Sequence, residues 1–199
     1  MRPRMEEERI YEAAIPFFAK FGYKKTTLED IAGALDMSNT NLYSYAKSKQ
    51  ALYKDCVSYA LDRWHNFVLA ETEDIEDPKE KLLMTFRSAV GYIAGNEDMS
   101  ALIKNDPSIF PMYPDVDPLN EFTQWPIQYV RQIMVDGIES GAFRAINVDV
   151  AATMLFGWYK YIILSSLEMK DLDRKLLKET LTTMSTLLFD GLLLVPEDN

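Results

Sequence analysis

The chain has 199 residues, 48% of them hydrophobic, and a formal net charge of −10, a composition that excludes a disordered polymer and leaves room for one large or two small cores. A single cysteine, Cys56, and a single histidine, His65, exclude an intramolecular disulfide and a Cys/His zinc site within one chain. The opening MRPRMEEERIYEAA lacks the apolar core of a signal peptide, and the apolar stretch 151–167 is broken by Lys160. No membrane span and a reducing cytoplasm are therefore expected.

The acidity is unevenly placed. Residues 1–55 carry nine Lys/Arg against eight Asp/Glu, whereas 56–199 carry twelve against twenty-three. The first part is thus free of the repulsion that the overall charge would impose on a polyanionic partner.

In chain order, Ile10, Ala13, Ala14, Phe17, Phe18 and Phe21 recur at helical spacing, and Gly22 stops the pattern. Pro16 inside this first helix predicts a local bend. Thr26 or Thr27 caps a short second helix with Leu28, Ile31, Ala32 and Leu35 inward; Glu29 holds the capping-box position if Thr26 is the cap. Asp36-Met37 forms a tight turn, Ser38 caps a third short helix with Leu42, Tyr43 and Tyr45 on its buried side, and Ser48 caps a fourth. Residues 71–76 read as a solvated helix end and loop, after which Asp77 (cap), Pro78 (first helical position) and Glu80 start the next helix. Five prolines in 105–126 predict a stiffened connection, and a helix resumes over 127–138, where Gly137 and Gly141 help to end it. Further helices are predicted at 148–168 and from Asp171. The sum is an all-α fold of about nine helices: a three-helix helix-turn-helix head over 1–55, linked by helix four to a larger effector-binding and dimerisation domain over 56–199.

Two short helices joined by a turn of three or four residues, the second beginning with polar side chains, fit a major-groove reader. Asn39 and Asn41 carry the donor and acceptor that adenine edges need. Thr40 offers a hydroxyl or a methyl for thymine, and Ser38 is available for bases or for capping. Phosphate contacts fall to the periphery: Thr27 or its amide, the Tyr43 hydroxyl, and Lys47 or Lys49. A helical hairpin with polar caps and solvated lysines would show the same pattern.

The segment IYEAAIPFFAKFGYKKTTLEDIAGALDMSNTNLYSYAKSKQAL resembles the N-terminal domain of the TetR family of bacterial transcriptional repressors. Thr26-Thr27 and Ile31-Ala32 match its second helix, Met37-Ser38 its turn, Leu42-Tyr43 and Tyr45 its recognition helix, and Ser48-Lys49 with Leu52 its linking helix. The resemblance implies a dimeric repressor released from a palindromic DNA operator by a small-molecule effector. It also implies phosphate contacts at Thr27, Tyr43 and Lys49 and base reading at Asn39, Thr40 and Asn41. Asp36, Thr40, Ala46 and Gln50 depart from the family's usual residues, and aspartate is tolerated in a turn.

In the remainder, Ala151, Met154, Leu155, Trp158, Ile162, Leu177, Leu181, Met184, Leu188 and Leu192 supply more apolar surface than a chain of this size readily exposes, so they are candidates for a dimer interface or for core. Phe86, Tyr92, Phe110, Met112, Tyr113, Phe122, Trp125, Tyr129, Trp158 and Tyr159 are candidates for an apolar, aromatic effector lining, with core as the alternative for each. An apolar or aromatic effector, neutral or cationic, fits the acidic body. His65 joins a pocket floor or faces solvent, and Cys56 is a small buried hydrophobe. No phosphate loop, nucleotide fingerprint, metal-ligand cluster or nucleophile arrangement occurs, so neither an enzyme nor a cofactor is expected. The competing reading is a helical dimeric ligand- or protein-binding regulator that has lost strong DNA binding.

Overall fold

The structure is a computed structural model and describes residues 4–109, 120–168, 179–180 and 182–187. Its regular elements are helices: α1 (Arg4–Lys25), α2 (Leu28–Ala34), α3 (Asn39–Tyr43), α4 (Lys49–Thr72), α5 (Pro78–Gly95), α6 (Glu97–Asn105), a 3-10 turn (Pro107–Ile109), α7 (Asn120–Glu139) and α8 (Val148–Glu168). Residues 182–187 are also helical. None of the helices among the described residues is long and apolar enough to cross a membrane.

The chain divides into two compact units, Met1–Trp64 with Ile93–Pro111, and His65–Tyr92 with Met112–Asn199. In the first, Ile10, Ala14 and Phe18 of α1, Ile31 and Ala32 of α2, Leu42 of α3 and Leu52 and Cys56 of α4 are buried together as its core. Burying such side chains contributes about 1.5–3 kcal/mol each for the larger ones. The break in α1 falls at Gly22 (φ 73°, ψ 165°) and not at Pro16, because only glycine enters that region without strain. Thr26 is buried and its hydroxyl donates to the carbonyls of Phe17 (3.0 Å) and Gly22 (2.9 Å), closing the chain after the break. Helix α6 belongs to this unit. Asn105 Nδ2 donates to the Ala19 carbonyl (2.6 Å), and the Tyr53 hydroxyl donates to Asp106 Oδ2 (2.7 Å).

The second unit holds the end of α4, most of α5, and α7 packed on α8, joined at the surface by Arg131 Nε to Asp149 Oδ1 (2.6 Å). Asp77 caps α5 as predicted, accepting from the Glu80 amide (2.7 Å). Three boundaries differ from those predicted. A break falls at Gly95-Asn96, where Asn96 caps α6 through the Met99 amide (2.9 Å). Helix α7 begins at Asn120, seven residues before the predicted start, and keeps Pro126 inside it, since a proline removes only one of the ladder's hydrogen bonds. Gly137 does not end α7. It lies within the helix with the Phe143 ring in the space that a Cβ would need, and the Phe143 amide donates to the Gly137 carbonyl (2.8 Å). Gly141, at φ 76°, supplies the turn. Helix α8 starts at Val148 as predicted.

Candidate nucleic-acid interface and effector body

The helix-turn-helix is built from its caps outward. Thr27, not Thr26, is the N-cap of α2: its Oγ1 accepts from the Asp30 amide (3.1 Å), and Asp30 Oδ2 accepts from the Thr27 amide (3.2 Å) and hydroxyl (2.6 Å). This reciprocal box satisfies two amides that a helix start would leave open. At the other end of α2, Asp36 stands in the left-handed region (φ 53°), the Asp36 amide donates to Gly33 O (3.2 Å) and the Met37 amide to Ala32 O (3.0 Å). That pair of bonds turns the chain sharply into Ser38. The Ser38 hydroxyl accepts from the Asn41 amide (3.2 Å), so this side chain caps α3.

Helix α3 buries Leu42 and turns Thr40, Asn41 and Tyr43 outward, Tyr43 with 52% of its surface exposed. Tyr43 therefore does not belong to the buried side where the periodicity places it; its exposure leaves the hydroxyl free to reach a polyanion. Asn39 is half-buried and its Nδ2 donates to Glu29 Oε1 of α2 (2.9 Å). Lys47 is exposed in the bend before α4. Lys49 is partly engaged: its ammonium donates to Thr26 O (3.1 Å) and Lys24 O (3.4 Å) and lies 4.6 Å from the Tyr23 ring centroid. Two of its three N–H donors thus fasten the start of α4 to the turn before α2. The Ser48 hydroxyl accepts from the Ala51 amide (3.1 Å), capping α4 as predicted. Cys56 is fully buried and burial pushes its thiol up, the environment of a small buried hydrophobe.

In the second unit the predicted aromatic residues fall into separate groups. Trp125 stacks on Tyr129 (5.1 Å, 9° between planes) and on His65 (4.3 Å, 20°). Thr72 donates its hydroxyl proton to Val68 O (2.6 Å), so the Tyr129 hydroxyl, 2.6 Å away, is the donor to Thr72 Oγ1. His65 is buried within this stack, and desolvation lowers its pKa to about 4. Phe86 and Tyr159 are buried with ring centroids 6.0 Å apart, and Tyr92 packs against Phe67 (5.2 Å). Phe110, Met112 and Tyr113 lie outside the described residues. Lys160, which sequence patterning registers only as an interruption, is 1% exposed with its ammonium 4.8 Å from the Phe156 ring centroid. The i, i+4 spacing on α8 brings the two side chains together.

Of the predicted interface residues, Leu155 and Ile162 are buried and Met154 is 57% exposed. Leu177, Leu181, Leu188 and Leu192 lie outside the described residues. Met154 shares an outward stripe of α8 with Val150, Trp158 (43%) and Tyr161 (67%). Trp158, Tyr161 and Ile162 face Glu179, Met184 and Leu187 across an open groove of about 490 Å³.

Among the described residues the N-terminal helices thus form a capped helix-turn-helix, the architecture with which DNA-binding regulators present a helix to the major groove. Residues 10–56 match the profile of bacterial regulatory proteins of the tetR family. It is similar to the HTH-type transcriptional regulator YvkB of Bacillus subtilis (strain 168), with 26% identity over 167 residues, 80% of this chain and 82% of that protein. It also resembles IcaR of Staphylococcus aureus (strain Newman), the HTH-type negative transcriptional regulator of the biofilm operon icaADBC, with 32% identity over 63 residues, 32% of this chain and 34% of IcaR. Among solved structures, a transcriptional regulator from Saccharomonospora viridis in complex with choline shares the fold, with a TM-score of 0.79 and 17% identity over 97% of this chain and 100% of that one.

Proposed function

We propose that this chain is a dimeric, sequence-specific DNA-binding repressor that a small-molecule effector releases from a palindromic operator. The observation that carries the reading is the outward edge of α3: Thr40, Asn41 and Tyr43 are exposed on a helix locked by the Ser38 cap and the buried Leu42. Within the first compact unit residues 1–55 carry the reading head, and the effector and dimerisation part lies within 56–199. Ser38 is spent on its cap, Asn39, Thr40 and Asn41 reach base edges, and Thr27, Tyr43, Lys47 and the remaining donor of Lys49 hold phosphates. One short helix reads too few bases for useful specificity. Two heads on half-sites about 34–36 Å apart supply the rest.

Support for the dimer comes from the α8 stripe of Val150, Met154, Trp158 and Tyr161, an apolar surface that a monomer would leave in water. Support for repression comes from the negative regulator among its relatives. The effector is apolar or aromatic and lies against the aromatic groups of the body; support for a small organic effector comes from a neighbour of the same fold that was solved in complex with choline. The test is selection of bound DNA from a random pool by the full chain, followed by salt titration on the selected site. A palindromic sequence bound more tightly than the pool is expected. Equal binding to all sequences at low salt would overturn the reading in favour of a regulator that has lost DNA recognition.

A further inference from the structure

Building on the DNA-reading role proposed above, we propose that Glu29, on the helix before the recognition helix, is a specificity-determining residue: it orients the Asn39 amide so that Asn39 reads adenine. The two residues are ten positions apart, yet Asn39 Nδ2 lies 2.9 Å from Glu29 Oε1. Their meeting is fixed by backbone. Asp36 at φ 53° and the paired bonds from Asp36 and Met37 back to α2 set the angle at which α3 leaves, and the Ser38 cap sets where its first residue, Asn39, stands. Of the two acidic residues in the first turn of α2, Asp30 is occupied by the Thr27 amide and hydroxyl. Glu29 is the one directed to α3.

The consequence lies in donor and acceptor identity. A carboxylate accepts hydrogen bonds and does not donate them, so it takes an N–H of the Asn39 amide and thereby decides which end of that amide is nitrogen. One N–H and the carbonyl oxygen remain. Adenine presents in the major groove an N7 acceptor beside an N6 amino donor, and this remaining pair is its complement. Guanine offers two acceptors at the same edge, to which the fixed carbonyl has nothing to bind. An unfastened amide would rotate freely and lose part of this discrimination. Asn41 is tied to Ser38 through its backbone amide. The negative charge acts in the opposite sense on affinity: Glu29 repels nearby phosphates, so it gives up general attraction for selectivity.

The experiment uses the full chain and the operator recovered from the random pool, with every half-site base substituted in turn. Binding of the wild type, Glu29→Ala, Glu29→Gln and Asn39→Ala is compared at one salt concentration. The wild type is expected to prefer adenine at one half-site position by roughly 5- to 150-fold, the range for a good bidentate contact. Asn39→Ala abolishes the preference at that position alone. Glu29→Ala weakens the same preference while binding to unrelated DNA stays equal or tightens; Glu29→Gln, which keeps an acceptor, retains the preference. In the DNA-free protein, amide NMR should show the Asn39 side-chain N–H resonances separate in the wild type and draw together in Glu29→Ala. A selected site whose base preferences are unchanged in Glu29→Ala overturns the role of Glu29 and leaves the repressor reading intact. A pool that yields no preferred sequence overturns both.

Discussion

Asp36 occupies a backbone conformation that costs an L-residue about 1–2 kcal/mol and a glycine almost nothing, although aspartate meets a smaller share of that cost than most. Asp36→Gly should therefore raise the thermal midpoint, by a stability gain of up to about 1 kcal/mol. A midpoint that falls would show that the aspartate side chain stabilises the turn by more than its strain. His65 gives a pH-dependent counterpart. Its pKa is near 6.5 when unfolded and about 4 in the buried stack, so the unfolded chain binds the extra proton first. The contribution is intact above about pH 6.5 and is lost progressively as the pH falls toward 4. His65→Phe keeps a ring against Trp125 and removes the titration. Denaturant melts at pH 7 and pH 5 should show the wild type losing about 2 kcal/mol more than the variant over that interval; parallel losses would place His65 in contact with water. Two side-chain roles were not legible in sequence at this scale. The Glu29–Asn39 bond depends on the angle between α2 and α3, and the engagement of Lys49 depends on where the Gly22 break leaves the carbonyls of Lys24 and Thr26.

At the scale of elements, what is legible is what local chemistry decides. Ser38, Ser48 and Asp77 are caps because a short acceptor side chain sits three residues before an open amide, and each makes that bond. The start of α8 is readable from the apolar pattern that follows Val148. The start of α7 is not, because Pro126 reads as a helix breaker until tertiary packing on α8 outweighs one missing hydrogen bond. Gly137 is misread for a related reason: glycine near a helix end suggests a stop, whereas here it makes room for Phe143. Gly137→Ala should cost about 1–3 kcal/mol by overpacking, measurable by urea unfolding. Gly137→Ala combined with Phe143→Leu should recover part of the loss, and no recovery would locate the strain elsewhere. The outward stripe of α8 makes the other prediction at this scale. Met154→Glu with Trp158→Glu should shift the protein from dimer to monomer in sedimentation experiments while leaving far-UV helicity unchanged. Persistence of the dimer would move the interface away from this stripe.

For the molecule as a whole, the net charge of −10 is a poor guide to its partner, since the first 55 residues are nearly neutral and the acidity lies in the rest. The helix-turn-helix is readable from a combination of residues that few other folds require together. The interior of the second part is less so, because an aromatic residue has the same sequence signature whether it closes a core, as Tyr159 does, or lies on an outward stripe, as the partly exposed Trp158 does. The division of the chain is the least legible feature, because it depends on a segment that returns late. Helix α6, some fifty residues beyond the recognition helix, is held by Asn105 to the Ala19 carbonyl and by Asp106 to the Tyr53 hydroxyl. For anyone building hybrid regulators, the transplantable head is consequently a discontinuous part. A chimera that grafts residues 1–55 onto a foreign body loses both anchors, and one that also carries 93–109 keeps them.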